Sequence, residues 1–270
     1  MKAASFAYVK PKSLEDTFEL LERHGDEARI LAGGQSLIPS LNMRLSSPEL
    51  LVDITGLSNL GNISLESGVV RIGALVTHSQ IEKSEEVRRH VPLLAEAVKH
   101  VAHPAIRNRG TFGGSLALAD PAAEYPACLL ALDAVIFVEG KKGQRQVRAK
   151  DFFKGLFDTD LRPGEILVAA EIRAQRKDER SVFLELARRH GDYAIIGLAA
   201  VRDSETRFAF LNAAAKPVLA KNAALKKTLQ EAKEALKADL LPPADLYNSS
   251  ATKLHLAGVL LERAWNRLST

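Results

Sequence analysis

Apolar positions recur with helical spacing near both ends of the chain. Residues 13–25 read SLEDTFELLERHG and put Leu14, Phe18 and Leu21 on one face, which is the pattern of an amphipathic helix. Ser13 is placed to cap the start of this helix and Gly25 to end it. Residues 251–268 repeat the pattern with one apolar stripe, formed by Leu254, Ala257, Leu261, Ala264 and Leu268. We therefore predict a helix at each end, with the second stripe facing the core or, in the alternative, partly facing a partner.

Short apolar runs between these helices predict strands. The runs are ARILA (28–32), ELLVDIT (49–55), GVVRIGA (68–74), DAVIFVEG (133–140) and EILVAAEI (165–172). The first predicts a buried strand that leads straight into a double glycine, and residues 56–62 form a turn-rich connection. Residues 90–102 are predicted to be helical from about Pro92.

The chain divides at a charged segment, RAQRKDER (173–180). Beyond it, the runs 182–187, 193–201 and 207–213 predict three antiparallel strands, and residues 218–240, rich in Lys, Glu, Ala and Leu, predict a helical stretch. At 270 residues the chain is long enough for one large domain or two to three small ones. We find no internal repeat and no low-complexity segment.

Composition limits the classes of protein that fit. The chain is 46% hydrophobic and 26% charged, as in ordinary globular proteins. No apolar run approaches the roughly 18 residues of a membrane span, and the first residues, MKAASFAYVKPKS, lack the apolar core of a signal peptide. The net charge of +4 is mild, and the basic residues are scattered without interleaved aromatic residues. We therefore do not expect nucleic acid as a partner.

The cysteine count is informative. A single cysteine, Cys128, excludes a disulfide within the chain, which fits a reducing compartment, and we expect a cytoplasmic protein. It also excludes an iron–sulfur cluster held by this chain, because such clusters typically take about four cysteines. Any cluster that works with this chain must therefore lie in a partner.

Two short glycine-rich segments carry the candidate chemistry. AGGQS (32–36) follows a predicted strand, and TFGGS (111–115) lies in a polar stretch, 103–126, that is punctuated by Gly and Pro and is too long for a routine loop. Glycine lets another group approach the main chain closely, and backbone N–H groups can cradle phosphate. The alternative for either segment alone is a tight turn.

Taken together, the two segments favour a diphosphate held from two sides. The hydroxyl groups of Ser36, Thr111 and Ser115 could complete its binding shell. Neither segment has the G-x-G-x-x-G spacing of a Rossmann loop, and neither ends in the Gly-Lys-Ser/Thr of a P-loop. We therefore expect a nucleotide between two subdomains, gripped without a large positive charge.

Polar side chains near these segments leave alternatives open. Asp120 and Glu124 of DPAAE could accept a hydrogen bond from a ribose or ring hydroxyl, unless Asp120 only caps a turn. His100 and His103 lie three residues apart, but no third ligand accompanies them, so packing or surface roles are favoured over metal binding. Three basic residues could add charge to the site or could instead contact solvent or a partner. They are Arg44, Arg107 and Arg109.

These segments resemble the FAD-binding medium subunit of the molybdenum hydroxylases, a family that includes carbon monoxide, nicotine and quinoline dehydrogenases and the flavin domain of xanthine dehydrogenase. AGGQSLIP and TFGGSLALADPAAEYPA are similar to the family patterns A-G-G-H/Q-S-L-I-P and T-I-G-G-N/S-x-A-x-x-D-P-x-x-D/E. The similarity continues in FAYVKPKSLEDT, RPGEILVAAEI and ARRHGDYA, so it covers most of the chain.

The resemblance implies an α+β fold. Its first part would be a p-cresol-methylhydroxylase-type FAD-binding fold of two α/β subdomains, residues 1–55 and 56–174. A C-terminal flavoprotein domain, residues 175–270, would follow, with a three-stranded antiparallel sheet and helices.

The resemblance also implies which residues contact FAD. The diphosphate would lie against two sets of residues, Ala32, Gly33, Gly34, Gln35 and Ser36 in the first segment and Thr111, Gly113, Gly114 and Ser115 in the second. The remaining contacts would come from Glu124 as the acidic contact, Leu167 packing near the flavin, and Asp192 and Tyr193 near the isoalloxazine ring.

Two positions depart from the family pattern. Gln35 replaces a common histidine, which should leave diphosphate binding by the backbone intact. Glu185 stands where relatives often have lysine, so a cationic contact to the flavin at that position is in doubt.

The function implied by the resemblance is electron transfer. In this family a substrate is hydroxylated at a molybdopterin cofactor in a large subunit, and electrons pass through 2Fe–2S clusters in a small subunit to FAD in the medium subunit. We therefore expect an oxidoreductase subunit that passes electrons to an external acceptor, in a dimer of heterotrimers. The alternatives are a stand-alone flavin-dependent oxidase of the same wider fold and a non-catalytic nucleotide-binding module.

Overall fold

The first part of the chain builds a three-stranded parallel sheet in a computed structural model that describes residues 2–269. Its elements are β1 (Ala7–Val9), α1 (Leu14–His24), β2 (Ala28–Leu31), α2 (Leu37–Asn42) and β3 (Leu50–Asp53). The strand order is β1-β3-β2. Helix α1 begins and ends as predicted, because the Ser13 hydroxyl accepts a hydrogen bond from the Asp16 N–H at 3.0 Å and Gly25 forms the C-cap.

The second part of the chain builds a five-stranded antiparallel sheet in the order β4-β5-β10-β6-β7. Its strands are β4 (Ile63–Glu66), β5 (Val69–Gly73), β6 (Val135–Gly140), β7 (Gly143–Arg148) and β10 (Ile166–Arg173), with a small hairpin, β8 (Phe153–Gly155) and β9 (Asp158–Thr159), before the last of them. Its helices are α3 (His78–Lys83), α4 (Glu85–His90), α5 (Pro92–Ala97), α6 (Pro104–Arg107), α7 (Phe112–Leu118), α8 (Glu124–Ala131) and α9 (Ala149–Phe152).

The stretch 103–126, which is too long for a routine loop, folds into short helices. It contains α6, α7 and the start of α8. The side chains of α8 are all buried, so tertiary packing outweighs the low helix propensity of Gly and Pro here. The strand β2 also differs from its prediction, because only Ala28 in it is fully buried.

The third part of the chain is a four-stranded antiparallel sheet in the order β11-β12-β13-β14, with helices on one face. Its elements are β11 (Arg180–Ala187), β12 (Ala194–Arg202), β13 (Thr206–Leu211), β14 (Val218–Leu219), α10 (Lys221–Ala224), α11 (Leu229–Asp239) and α12 (Ser250–Ser269). The three predicted strands are confirmed. The prediction of three strands only was wrong, because Val218 pairs with Phe210 in a short fourth strand where helix was expected.

The C-terminal sheet is covered on both faces. Alternate residues of β12 point to opposite sides, as the period of a strand requires. Leu198 packs with the stripe of α12, whose Ala257 and Leu261 are buried as predicted. Ala199 packs instead with Cys128 of α8 in the central core. Helix α8 therefore lies between the second part of the chain and this sheet, and Glu124 at its start lies at that junction.

Candidate cofactor-binding site

The first glycine segment connects β2 to α2. An added Cβ on Gly33 would lie 2.3 Å from Arg109 O and 2.7 Å from Gly110 Cα, so the two main chains touch here and only glycine fits. Gly34 adopts φ +72°, in the left-handed region that favours glycine. The first segment is thereby held directly against the residues that precede the second.

The backbone N–H groups of residues 33–36 donate no hydrogen bond to any protein acceptor within residues 2–269. The side-chain amide of Gln35 donates to the Gly33 carbonyl at 3.1 Å, which stiffens the loop without using these donors. Ser36 is exposed and its hydroxyl makes no capping bond to α2. A run of successive free N–H groups is the arrangement that binds phosphate groups in nucleotides.

The second glycine segment is the first turn of α7 and differs from the first. Thr111 caps the helix by accepting the Gly114 N–H at 3.2 Å. Gly113 donates to Ala74 O at 2.9 Å, and Ser115 donates to Thr111 O at 3.0 Å. These backbone donors are therefore used inside the protein. The Ser115 side chain is partly exposed, whereas Thr111 is buried and its hydroxyl oxygen already accepts the capping bond, which leaves only its O–H as a donor. Of the two glycines in this segment, Gly113 is the more tightly packed, since an added Cβ would lie 2.5 Å from Ala74 Cβ.

A cleft of about 450 Å³ opens beside the first segment. Its lining comprises Leu31, Ala32, Gly33, Gly34, Gln35, Ile38, Pro39, Asp53, Thr55 and Arg109. Asp53 and Thr55 were not predicted as site residues. A signal was present in the sequence, because the parallel strands β2 and β3 place their carboxyl ends at the same edge of the sheet. The sequence left open whether Arg109 adds charge to the site or contacts solvent or a partner. In the structure Arg109 lines this cleft.

Asp53 is held firmly as a carboxylate. Burial alone would raise its pKa, but hydrogen bonds from Thr55 and from the Tyr8 hydroxyl, together with the charge of Lys10, lower the pKa below its usual value. The Thr55 N–H donates to Asp53 Oδ1 at 2.8 Å. Asp53 therefore fixes the floor of the cleft at the end of β3.

An acidic region lies at the start of α8. Burial raises the pKa of Glu124 to about 7, and burial also raises the pKa of Asp120. The Asp120 carboxylate accepts the Ala122 N–H at 2.9 Å, so the turn-capping role considered for it is present. Packing around the hydroxyl of Tyr193, followed by the charges of Asp120 and Glu124, raises the pKa of that tyrosine. The charges of Asp120 and Glu124 therefore act on Tyr193 across the junction between the second and third parts.

The loop that carries Asp192 and Tyr193 is held against the turn before α6. An added Cβ on Gly191 would lie 2.5 Å from the His103 ring, and Gly191 has φ +84°. His103 is itself exposed, so this contact lies at the surface. Arg188 lies 4.0 Å from Asp192 on the same loop.

Two other residues of interest are buried. Leu167 is 4% exposed in the core of β10, and its packing near the flavin stays a prediction. For Arg107 the sequence left open a charge at the site or, more favoured, a contact with solvent or a partner, yet the residue is buried. Its Nε donates to Glu82 at 3.0 Å and its Nη1 to the Ala102 carbonyl at 3.0 Å. Arg107 is therefore a structural residue beneath the second segment.

Two kinds of feature are absent from the part of the chain that the structure describes. Across residues 2–269 no cluster of three or more His, Cys, Asp or Glu side chains is placed to hold a metal ion. Over the same range no helix has the length and apolar character needed to cross a bilayer.

Free backbone donors that line a cleft are typical of proteins that bind anions, such as the phosphate groups of a nucleotide. Residues 4–172 match the family described as the FAD binding domain in molybdopterin dehydrogenase, and the chain belongs to this family. The chain is 45% identical over 201 residues to the 6-hydroxypseudooxynicotine dehydrogenase complex subunit alpha of Paenarthrobacter nicotinovorans, covering 74% of this chain and 68% of that protein. It is 35% identical over 275 residues to the carbon monoxide dehydrogenase medium chain of Hydrogenophaga pseudoflava, covering 97% and 96%.

Solved structures agree over the whole chain. A structure of carbon monoxide dehydrogenase from Hydrogenophaga pseudoflava that lacks the Mo-pyranopterin moiety of the molybdenum cofactor matches with a TM-score of 0.96 at 35% identity, covering 100% of this chain and 99% of that chain. Quinoline 2-oxidoreductase from Pseudomonas putida 86 matches with a TM-score of 0.91 at 37% identity, covering 100% and 99%. The α+β fold and the FAD-binding class predicted from the sequence are confirmed.

Proposed function

We propose that this chain binds one FAD non-covalently and serves as the electron-transfer subunit of a molybdenum-containing hydroxylase complex. The observation that carries the proposal is the run of free N–H groups at residues 33–36 in the cleft, in a chain whose family binds FAD. When bound, FAD would supply the redox chemistry, while the protein binds and orients it.

The first segment would hold the diphosphate through its backbone, with Gly33 and Gly34 shaping the loop and Ser36 adding a hydroxyl. The second segment would approach from the other side through the hydroxyl groups of Thr111 and Ser115, because its backbone donors are already bonded. This division of roles is supported by the contact between Gly33 and Arg109, which places both segments at one site.

The other end of the cofactor would lie at the junction of the second and third parts of the chain. The charges of Asp120 and Glu124 raise the pKa of Tyr193 there, and Asp192 precedes Tyr193 on the same loop. The exposed Tyr193 ring, 75% accessible, is free to cover one face of an isoalloxazine ring. Leu167 would contribute only from within the core.

The partners follow from the chemistry that this chain lacks. Its one cysteine, Cys128, is buried, so electrons must come from 2Fe–2S clusters in a small subunit, and the molybdopterin cofactor belongs to a large subunit. Relatives carry names such as subunit alpha and medium chain, which supports a multi-subunit complex. We propose a dimer of heterotrimers in the cytoplasm.

We also propose the domain division 1–55, 56–174 and 175–270, with the first two forming a p-cresol-methylhydroxylase-type FAD-binding fold. Each of the three segments has its own main sheet. The first two share a hydrophobic cluster in which Phe18 and Val52 pack with Phe137 and Val168, which supports treating them as one cofactor-binding unit.

Purification tests the proposed function. The isolated chain should be yellow, and acid precipitation should release the colour into the supernatant. Co-expression with the small and large subunits should give a stable complex whose flavin bleaches when the substrate of the large subunit is added. A colourless chain that takes up no FAD, or an isolated chain that turns over an organic substrate at about 1 s⁻¹ or faster, would contradict the proposal.

A further inference from the structure

One residue is hydrogen-bonded to both elements that carry predicted flavin contacts. Asn212 directly follows β13, and its backbone N–H donates to the Pro121 carbonyl at 2.7 Å. Pro121 lies just before α8, which begins at Glu124. The side-chain amide of Asn212 donates to the carbonyl of Ala194 at 2.7 Å, and Ala194 follows Tyr193 directly. Asn212 therefore ties together the two sides of the junction between the second and third parts of the chain.

The side-chain amide of Asn212 acts where the pairing of β12 is irregular. The register of β11 and β12 shifts at Ala187, which pairs with Ala194, and the shift leaves Ile195 as an extra residue in β12. On its other side, β12 pairs with β13 only from Gly197 onward. The Asn212 amide donates to the Ile195 carbonyl at 3.2 Å as well as to Ala194, so it takes the place of the missing strand partner. Bulges of this kind commonly aim a side chain beside a functional site.

The backbone of Asn212 is suited to these bonds. Its φ is +53°, in the left-handed region that asparagine and glycine adopt more readily than other residues. Asparagine combines this conformation with a side-chain amide that can donate two hydrogen bonds. Glycine would supply the conformation and the backbone N–H, but it would leave the two carbonyls of β12 without this donor.

Tyr193 lies between two fixed points of its loop. Before it, an added Cβ on Gly191 would lie 2.5 Å from the His103 ring, so the chain is held closely there. After it, Ala194 is bonded to Asn212. The Tyr193 ring itself is largely exposed, so packing of the ring does little to orient it. The direction of the ring therefore depends on the two anchors, and Asn212 supplies the second.

We propose that Asn212 is a positioning residue for the flavin end of the cofactor site. Its backbone N–H fixes the segment that leads into Glu124, and its side chain fixes the residues that follow Tyr193. The two predicted flavin contacts are thereby held at a set separation before the cofactor binds. The inference rests on the proposed function, because it assumes that the isoalloxazine ring lies at this junction.

The loss of such an anchor has a specific effect on binding. When fewer molecules hold the loop in the binding conformation, the apparent affinity falls by the same fraction. Only the flavin end depends on Asn212, because the proposed diphosphate site at residues 33–36 belongs to the first part of the chain. ADP carries the same diphosphate without the flavin ring, so the ratio of FAD affinity to ADP affinity isolates the flavin end.

The test compares the full wild-type chain with two variants and a matched control. Asn212→Gly keeps the left-handed backbone and the bond to Pro121, and it removes only the side chain. Asn212→Asp has nearly the same size but no N–H donor on its carboxylate. The control is Asn222→Ala, which removes a side-chain hydrogen bond of 2.9 Å to Asp239. This bond joins α10 to α11 in the same part of the chain, where no flavin contact is predicted.

The first readout is the pair of dissociation constants for FAD and for ADP. Asn212→Gly should weaken FAD binding about tenfold, as expected for two lost hydrogen bonds, and change ADP binding by less than about twofold. Asn212→Asp should lower the ratio of FAD affinity to ADP affinity at least as much, because its carboxylate would face the two carbonyls. Asn222→Ala should keep the ratio of wild type.

The second readout is a double-mutant cycle with Tyr193→Ala. If the Asn212 side chain acts by orienting Tyr193, Asn212→Gly should have little further effect on FAD affinity once the tyrosine ring is removed. A residue that only stabilises the fold would show the same loss in both backgrounds.

The inference is overturned if Asn212→Gly binds FAD as wild type does, or if FAD and ADP affinities fall by the same factor. An equal loss of FAD affinity with and without the Tyr193 ring overturns it as well. Should Asn212→Gly fail to fold, Asn212→Asp decides by the same ratio. A wild-type chain that binds no FAD would instead refute the proposed function, and the positioning role would fall with it.

Discussion

Replacing Gly33 by alanine should disrupt the contact that joins the two glycine segments. The added Cβ would lie 2.3 Å from the Arg109 carbonyl oxygen, whereas real Cβ atoms essentially never approach closer than 3.0 Å. The loop or its neighbour must therefore move by at least about 0.7 Å (3.0 − 2.3 Å). Both contacting groups are backbone, so no flexible side chain can yield.

The size of the effect follows from this displacement. Overpacking of this kind costs about 1–3 kcal/mol of folding free energy. A shift of this size would also stretch a phosphate hydrogen bond from about 2.9 Å to about 3.6 Å, where it no longer counts as a bond. Each charge-assisted bond lost costs about 1.5–3 kcal/mol, or about 10- to 100-fold in FAD affinity. Gly33→Ala should therefore be folded, less stable, and weak in FAD binding.

The assay is a titration of the apoprotein with FAD, followed by quenching of flavin fluorescence, together with unfolding in urea. Gly61→Ala is the matched control, because its added Cβ would meet its nearest neighbour, Ser58 O, at an ordinary 3.4 Å. The control should bind FAD and unfold as wild type does. A Gly33→Ala protein with wild-type affinity and wild-type stability would refute the reasoning.

Further predictions concern the support beneath the second segment. Thr111→Ala should lose about 1 kcal/mol of stability in urea unfolding because the cap on α7 is removed, and Thr111→Ser should retain it. Burial, and then the charge of Arg107, lower the pKa of His78 to about 4. The contribution of neutral His78 to stability, up to about 3 kcal/mol, should therefore be complete above pH 6.5 and be lost as the pH falls toward 4. Unfolding of wild type and His78→Phe at each pH isolates this contribution, and parallel curves of stability against pH would contradict the prediction. Arg107→Met should cost about 2 kcal/mol by breaking the ion pair with Glu82, and should raise the pKa of His78 measured by NMR.

Local signals in the sequence predicted much of the fold. The cap at Ser13, the glycine at Gly25 and the apolar stripe of α12 each act within a few residues, so they could be read directly. Strands β4 and β7 lie at the two edges of their sheet, and they were missed because β4 is only four residues long and β7 is mostly polar. Strand β14 exists only through its pairing with β13, and no local pattern records such a pairing.

The candidate site could also be predicted in part, because its two glycine segments are local patterns in the sequence. The order and spacing of the glycine segments pointed to one binding site, and the contact of Gly33 with Arg109 brings them together. Which N–H groups remain free could not be predicted, because that depends on acceptors far along the chain, such as Ala74 O for Gly113. The burial of Arg107 was likewise invisible, since its carboxylate partner Glu82 lies 25 residues away.

The central claim is that residues 33–36 hold the diphosphate of FAD, and one titration tests it most directly. Apoprotein is titrated in parallel with FAD and with riboflavin, which has the same ring system but no phosphate. We predict saturation at one FAD per chain and an affinity for riboflavin at least about 100-fold weaker, because two or more charge-assisted hydrogen bonds are lost. Equal affinity for the two ligands, or no binding of FAD, would contradict the account.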